Sequence, residues 1–364
     1  MRLGVYWSTF IVSVGRKGTN YLRGFDTLIG QGALVRRLQQ AISSGRVAHA
    51  YLISGAPGSG KKTLAFTFAG ALFCQNLDDN ACGTCRNCRR IGANNHPDVT
   101  IVRPETGRIR ISQIRQLKDK FALQSYEGSW KIGIIIDAET MTEAAANSLL
   151  KLLEEPSGKA VIMLLCTSRS MLLPTIVSRC QTIPMRRLAK SEIADFLANE
   201  HQLPPETAIV IAGLADGRLG QAIEMASQEN LAWKDEVLAV MTRREGQGLA
   251  ALRLAAKLDA EPEAIEFCLR VLSSWLRDML LVTSGCSQTE VVHQDRYPDL
   301  VALSEALNES VVMRAIRQVE STRRALEANA NRRLALDTLL YQMADLTSFS
   351  PASEVYKYGK SSRS

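Results

Sequence analysis

The chain has 364 residues, 46 % of them hydrophobic, with 44 Lys and Arg against 37 Asp and Glu for a formal net charge of +7. That length accommodates two or three domains with sizeable cores, and the ordinary hydrophobic content excludes a mainly disordered chain. No run approaches the roughly 18 consecutive apolar residues of a membrane-spanning helix, which speaks against a helical membrane protein. The basic balance invites a nucleic-acid reading, but the charge is uneven. Residues 1–24 hold Arg2, Arg16, Lys17 and Arg23 and no acid, and residues 347–364 hold Lys357, Lys360 and Arg363 against Glu354. The body between them is close to neutral.

In chain order, residues 1–24 carry a short apolar stretch, Leu3–Val14, broken by Ser8, Thr9 and Ser13. Gly15-Arg16-Lys17 follows where a signal peptide needs small neutral residues, so residues 1–24 are expected to be an extension outside the fold, or an early start. From Phe25 to Arg187 the pattern alternates helix and strand. Leu34, Leu38, Ala41 and Ile42 mark one helix face, and apolar runs recur at 50–54, 99–102, 132–137, 161–166 and 181–185. Five near-continuous apolar strands separated by helix-length segments predict a parallel five-stranded sheet covered on both faces, an α/β domain over 25–187.

After Arg187 the strands stop. A helix capped by Ser191, a second with Pro205 in its first turn and a third over Gly217–Met225 suggest a small helical lid, 188–228. An all-α domain should follow over 229–346, with one apolar stripe in Phe267, Val271, Leu272, Trp275, Leu276 and Met279 and others through Val311, Ile316, Val319, Leu326, Leu334, Leu339 and Leu340. The Ser- and Lys-containing tail, 347–364, is expected to fray.

The turn after the first strand reads Gly55-Ala-Pro-Gly58-Ser-Gly60-Lys61-Lys62-Thr63. It matches G-x-x-x-x-G-K between a strand and a helix, where backbone N–H groups curl around phosphates and Lys61 reaches the terminal ones. The next position should be Ser or Thr to ligate magnesium. Here it is Lys62, and Thr63 lies about 100° further around the helix. Asp137 stands at the end of the third strand, where a magnesium-coordinating carboxylate belongs, but the following water-activating Glu is replaced by Ala138. Glu139, one residue further, falls on the wrong side if the chain there is extended. Gly55, Gly58, Gly60, Lys61, Thr63 and Asp137 thus form a degenerate nucleotide site. ATP or ADP bound without turnover and a loop retained for the fold alone both remain open.

Cys74, Cys82, Cys85 and Cys88 follow the spacing C-x7-C-x2-C-x2-C. Clustered thiols with CxxC steps read as tetrahedral metal ligands before disulfides, and four thiolates leave no open position, so a structural zinc ion in a reducing compartment is expected. His96, before Pro97, is read as a loop residue. Arg86, Arg89 and Arg90 make the module basic, either as a solvated face or as a contact for nucleic acid or a partner. Ser178-Arg179-Cys180 ends a helix before the last strand, so Arg179 is expected to project from one side of the domain.

These residues together resemble the delta-prime family of bacterial DNA polymerase III clamp-loader subunits, over about residues 25–346. The landmarks are FDTLIGQ (25–31), VAHAYLISGAPGSGKKT (47–63), the cysteine module, NHPDV (95–99), AANSLLKLLEEP (145–156), SRCQ (178–181) and RRLALDTLL (332–340). The resemblance implies an AAA+ P-loop domain, a lid and a helical collar that assembles with gamma/tau and delta subunits in the cytoplasm. Through that complex the chain meets the sliding clamp and primed DNA. It further implies that Arg179 acts in trans on ATP held by an adjacent gamma/tau subunit, that no catalytic residue works in cis, and that Cys74, Cys82, Cys85 and Cys88 hold zinc. Gamma/tau-like sequences have Ser or Thr after the loop lysine, Glu after the acidic strand's Asp, and a nucleotide-sensing arginine in the lid. Lys62, Ala138 and Gly220 occupy those places, with Arg218 two residues earlier. The alternatives are an active gamma/tau-like ATPase and a zinc-stabilised DNA-binding module.

Overall fold

A computed structural model describes residues 22–346 except 23, 78, 127–129, 155–157 and 243–246. The extension up to residue 21 and the tail 347–364 lie outside the described residues. The chain divides into two compact units, one ending at Leu188 and also taking in Arg218–Gly220, the other holding Ala189–Gly217 and the chain from Gln221 onward.

In chain order the first unit contains α1 (Gly32–Ser43), β1 (Ala50–Ser54), α2 (Lys61–Phe73), α3 (Arg86–Gly92), β2 (Val99–Val102), α4 (Ile111–Ala122), β3 (Lys131–Ile135), α5 (Glu143–Glu154), β4 (Ala160–Cys166), α6 (Pro174–Val177) and β5 (Gln181–Pro184). The five strands pair in parallel in the order β2-β3-β4-β1-β5. Alternation along each strand distributes side chains between two cores. Tyr51, Ile53, Val161, Met163 and Leu165 face the cluster that holds α2 and the cysteine segment, while Leu52, Ile162, Leu164 and Cys166 face α4 and α5. Burial on both faces is why these strands read as unbroken apolar runs. Helix α2 is apolar all round for the same reason: Leu64 to Phe73 are buried without a break. Leu22, ahead of the expected start at Phe25, is 3 % exposed and packs over Gly70 of α2.

The second unit is all helical: α7 (Lys190–His201), α8 (Pro205–Ala215), α9 (Leu219–Met225, whose first two residues cluster with the first unit), α10 (Gln228–Thr242), α11 (Gln247–Ala260), α12 (Ile265–Thr283), α13 (Tyr297–Ala306), α14 (Glu309–Glu327) and α15 (Arg332–Ala344). Its helices pack chiefly as α11 on α15, α7 on α8, and α12 on α13 and α14. The α12 stripe Phe267, Val271, Leu272, Trp275, Leu276 and Met279 is buried as its spacing requires. Leu334 is not: it is 64 % exposed, because it lies in the first turn of α15, whose Asn331 cap accepts from the Leu334 N–H at 3.0 Å. Ser191 is likewise not a cap. Helix α7 begins at Lys190, and the Glu192 carboxylate accepts from the Ala189 N–H at 2.8 Å instead. Among the described residues no helix is long and apolar enough to cross a membrane.

Candidate functional site

Strand β1 runs between β4 and β5, and Gly55–Gly60 turn the chain into α2. Gly58 and Gly60 have φ of 78° and 91°, left-handed values that favour glycine. The loop N–H groups and the α2 N-terminus make an anion-favouring bowl. Lys61 opens the helix 8 % exposed, and its Nζ donates to the Gly55 carbonyl and, at 2.9 Å, to that of Ala56. The lysine is thus closed onto its own loop. Burial lowers its pKa, while Glu139, Asp137 and Cys166 nearby act in the opposite direction. Lys62 and Thr63 follow, half-buried, on the first turn.

The acidic turn differs from the extended chain expected there. Asp137 adopts φ 52° and ψ 51°, and Ala138–Thr140 form a 3-10 turn. This folds Glu139 back toward the loop: its Oε1 accepts from the Thr167 N–H at 3.0 Å and the Thr167 hydroxyl at 2.7 Å. Glu139 is therefore on the phosphate-loop side, but one of its oxygens is committed to the end of β4. Asp137 is exposed and Ala138 buried. Cys166, between these groups, is pushed up to about 11 by burial and then by Glu139.

Gly220 lies in the short stretch that clusters with this unit. Its N–H donates to the Gly58 carbonyl at 3.0 Å, and a Cβ on it would stand 3.2 Å from that oxygen. A residue with a side chain, arginine included, would crowd the loop at this point. Close backbone approach is a physical reason for glycine here.

Arg179 follows α6 with its side chain 36 % exposed. Its Nη1 donates to the Thr175 carbonyl at 2.9 Å and its Nη2 to Glu154 Oε1 at 2.7 Å. It reaches the surface as expected, but is held by a carboxylate at the end of α5 that the sequence reading did not single out. A Glu closing a leucine-rich helix has many solvent-facing roles open to it, so no spacing signal marks it.

The four cysteines come together. Their Sγ atoms all lie within 4.8 Å of one another, and together they could hold a metal ion. The short steps place backbone donors on sulfur: Cys85 N–H to Cys82 Sγ at 3.3 Å, and Cys88 N–H to Cys85 Sγ at 3.4 Å. Burial raises the Cys82 thiol, but hydrogen bonds from the Thr84 side chain and the Cys85 N–H outweigh it and bring it down to about 6. Burial drives the Cys88 thiol the other way, well above the usual range. Donors aimed at sulfur favour thiolates, the form that binds metal. His96 is outside this cluster: it is 4 % exposed, stacks on Phe73 at 4.3 Å between ring centroids, and its Nδ1 accepts from the Asp98 N–H at 3.2 Å. Arg86 and Arg89 are exposed on α3, whereas Arg90 is half-buried and engaged.

Similarity to known proteins follows the same division. A family model described as "DNA polymerase III, delta subunit" matches residues 30–189, and one described as "DNA polymerase III, delta subunit, C terminal" matches 228–345. DNA polymerase III subunit delta' of Bacillus subtilis is 30 % identical over 306 residues, covering 83 % of this chain and 92 % of that protein. The subunit of the same name from Pseudomonas aeruginosa is 32 % identical over 315 residues, covering 82 % and 92 %. DNA polymerase III subunit tau of B. subtilis is 29 % identical over 222 residues, covering 59 % of this chain but 39 % of that protein. Together with the parallel sheet and its phosphate loop, these matches along both units show that the chain belongs to the DNA polymerase III delta' family.

Proposed function

We propose that the chain is a non-hydrolysing assembly subunit of a cytoplasmic clamp loader. It joins gamma/tau-type and delta-type subunits, supports loading of a sliding clamp onto primed DNA, and offers Arg179 to ATP on a neighbouring gamma/tau-type subunit. The observation that carries this reading is the combination of a formed phosphate loop with the loss of what would make it an ATPase. Lys62 stands where a magnesium ligand belongs, Ala138 where the water-activating carboxylate belongs, and Gly220 where a sensing arginine would sit. Glu139, the nearest substitute, is tied to Thr167. A guanidinium on a surface is what an incomplete neighbour needs to stabilise charge on a transferring phosphoryl group.

Zinc is the metal assigned to Cys74, Cys82, Cys85 and Cys88. Tetrahedral Zn–S bonds of about 2.3 Å put sulfurs about 3.8 Å apart, compatible with the cluster. Four thiolates close the coordination shell, so the ion contributes folding energy and no chemistry. None of the eight cysteines is joined in a disulfide, as suits a reducing compartment.

The test is a complex reconstituted from this chain with gamma/tau-type and delta-type partners. Arg179→Ala should lower its ATPase rate, because one site loses its trans cation, while Lys61→Ala should leave the rate close to that of the unaltered complex. Loss of turnover with Lys61→Ala and none with Arg179→Ala would support the active-motor reading instead.

A further inference from the structure

We propose that Glu154 is the positioning residue for Arg179. The inference rests on the trans-arginine reading above and deepens it. Arg179 has a long side chain with many rotamers, and a finger that must find a phosphate on another subunit loses that freedom at the moment of capture. Two contacts restrict it beforehand. The Thr175 carbonyl takes one N–H from Nη1 at 2.9 Å, and Glu154 Oε1 takes one from Nη2 at 2.7 Å. Both partners come from elements anchored in the same core: Leu152 and Leu153 beside Glu154, and Ile176 beside Thr175, are all buried.

Two features separate positioning from mere stabilisation. The pair is half-exposed on both sides, with side chains 36 % and 48 % accessible, and pairs of this kind add little to folding stability. What it fixes is a direction. Among the described residues the contact is also single rather than a two-pronged fork, so two of the guanidinium's five N–H donors are engaged there and three can meet an incoming phosphate oxygen. Glu154 never touches the phosphate; it acts only through the arginine.

The experiment uses the reconstituted complex and follows ATP hydrolysis with Glu154→Ala, Glu154→Gln, Arg179→Ala and the double variant Glu154→Ala/Arg179→Ala. The part of kcat that Arg179→Ala removes is the arginine-dependent rate. Glu154→Ala should lower that part about tenfold with KM for ATP within about twofold, as a misaimed catalytic group does. Glu154→Gln, whose amide oxygen still accepts, should restore at least half of it. The double variant should be no slower than Arg179→Ala alone. An unchanged rate in Glu154→Ala, beside a clear loss in Arg179→Ala, would overturn the positioning role and leave the trans-arginine reading standing. A faster Glu154→Ala complex would overturn it too, making Glu154 a restraint on the arginine. No loss in Arg179→Ala would remove the reading on which the inference rests.

Discussion

Asp137 and Glu139 show how far individual residues could be read ahead of the structure. Lys62 and Ala138 are substitutions at fixed distances from Lys61 and Asp137, so their consequence follows from spacing alone. The direction of Glu139 did not. An extended chain would point it away from the loop, but Asp137 takes a left-handed conformation and the chain curls. Asp is among the few L-residues that adopt it readily, and nothing in the neighbouring sequence demands it. The structure therefore gives Glu139 a structural role that is testable separately from catalysis. Glu139→Ala removes a carboxylate accepting two hydrogen bonds from Thr167. It should cost roughly 1–3 kcal/mol of stability, seen as a lower melting temperature. The ATPase rate of the assembled complex should hold. A collapse of turnover with no change in melting would make Glu139 a catalytic group.

Among elements, strands were the most legible, because burial on both faces turns each into a plain apolar run. Helix ends were less so, since Ser191 and Glu192 both carry cap-forming oxygens and only backbone geometry chooses between them. The clustering of the four cysteines was legible, but not what their segment fastens. Asn80 Oδ1 accepts from the Phe25 N–H at 2.8 Å, and Leu22 is buried against α2 and close to Ala81 and Gly83. A metal ion held by Cys74, Cys82, Cys85 and Cys88 should keep this segment in place. Chelation, or Cys85→Ser, should therefore lower the melting temperature and open the chain near Phe25 to chymotrypsin. Unchanged cleavage in the metal-free protein would contradict the coupling.

In the second unit, the loop before α13 was not anticipated from the sequence. Asp278 of α12, fully buried, accepts the N–H groups of Val292 and His293 at 2.9 and 2.8 Å. His293 is also fully buried, stacked edge-on against Trp275 at 5.4 Å between ring centroids, and neither ring nitrogen has a hydrogen-bond partner among the described residues. Burial pushes its pKa down to about 3, against Asp295, while Lys234 and Arg277 push it the same way. A base depressed in the folded state favours folding fully above its unfolded value of about 6.5, and that contribution is lost progressively as pH falls toward 3. Asp278 is raised by burial, despite the two N–H groups it accepts, so its contribution runs in the opposite sense and grows as pH falls toward the usual carboxylate value of about 4. The window of the histidine opens at about pH 6.5, where its unfolded form begins to take up a proton, and runs downward from there. The melting temperature of the protein should drop across that window, and His293→Phe, which keeps the ring and removes the titration, should flatten the drop. An equally steep profile in His293→Phe would place the acid sensitivity elsewhere.

For the whole molecule, the formal +7 turned out to be a weak guide, since most of it lies in segments outside the described residues. Function was legible through the order of motifs along the chain, and the family matches cover both units. The remaining question is division of labour: whether this chain hydrolyses ATP or makes a neighbour do so. The most direct measurement is ATPase turnover of the purified chain by itself, followed by titration of the chain into gamma/tau-type and delta-type subunits. The account predicts no turnover above background alone, and a rise in the mixture that is reduced by Arg179→Ala. Turnover by the isolated chain that disappears in Lys61→Ala would contradict it.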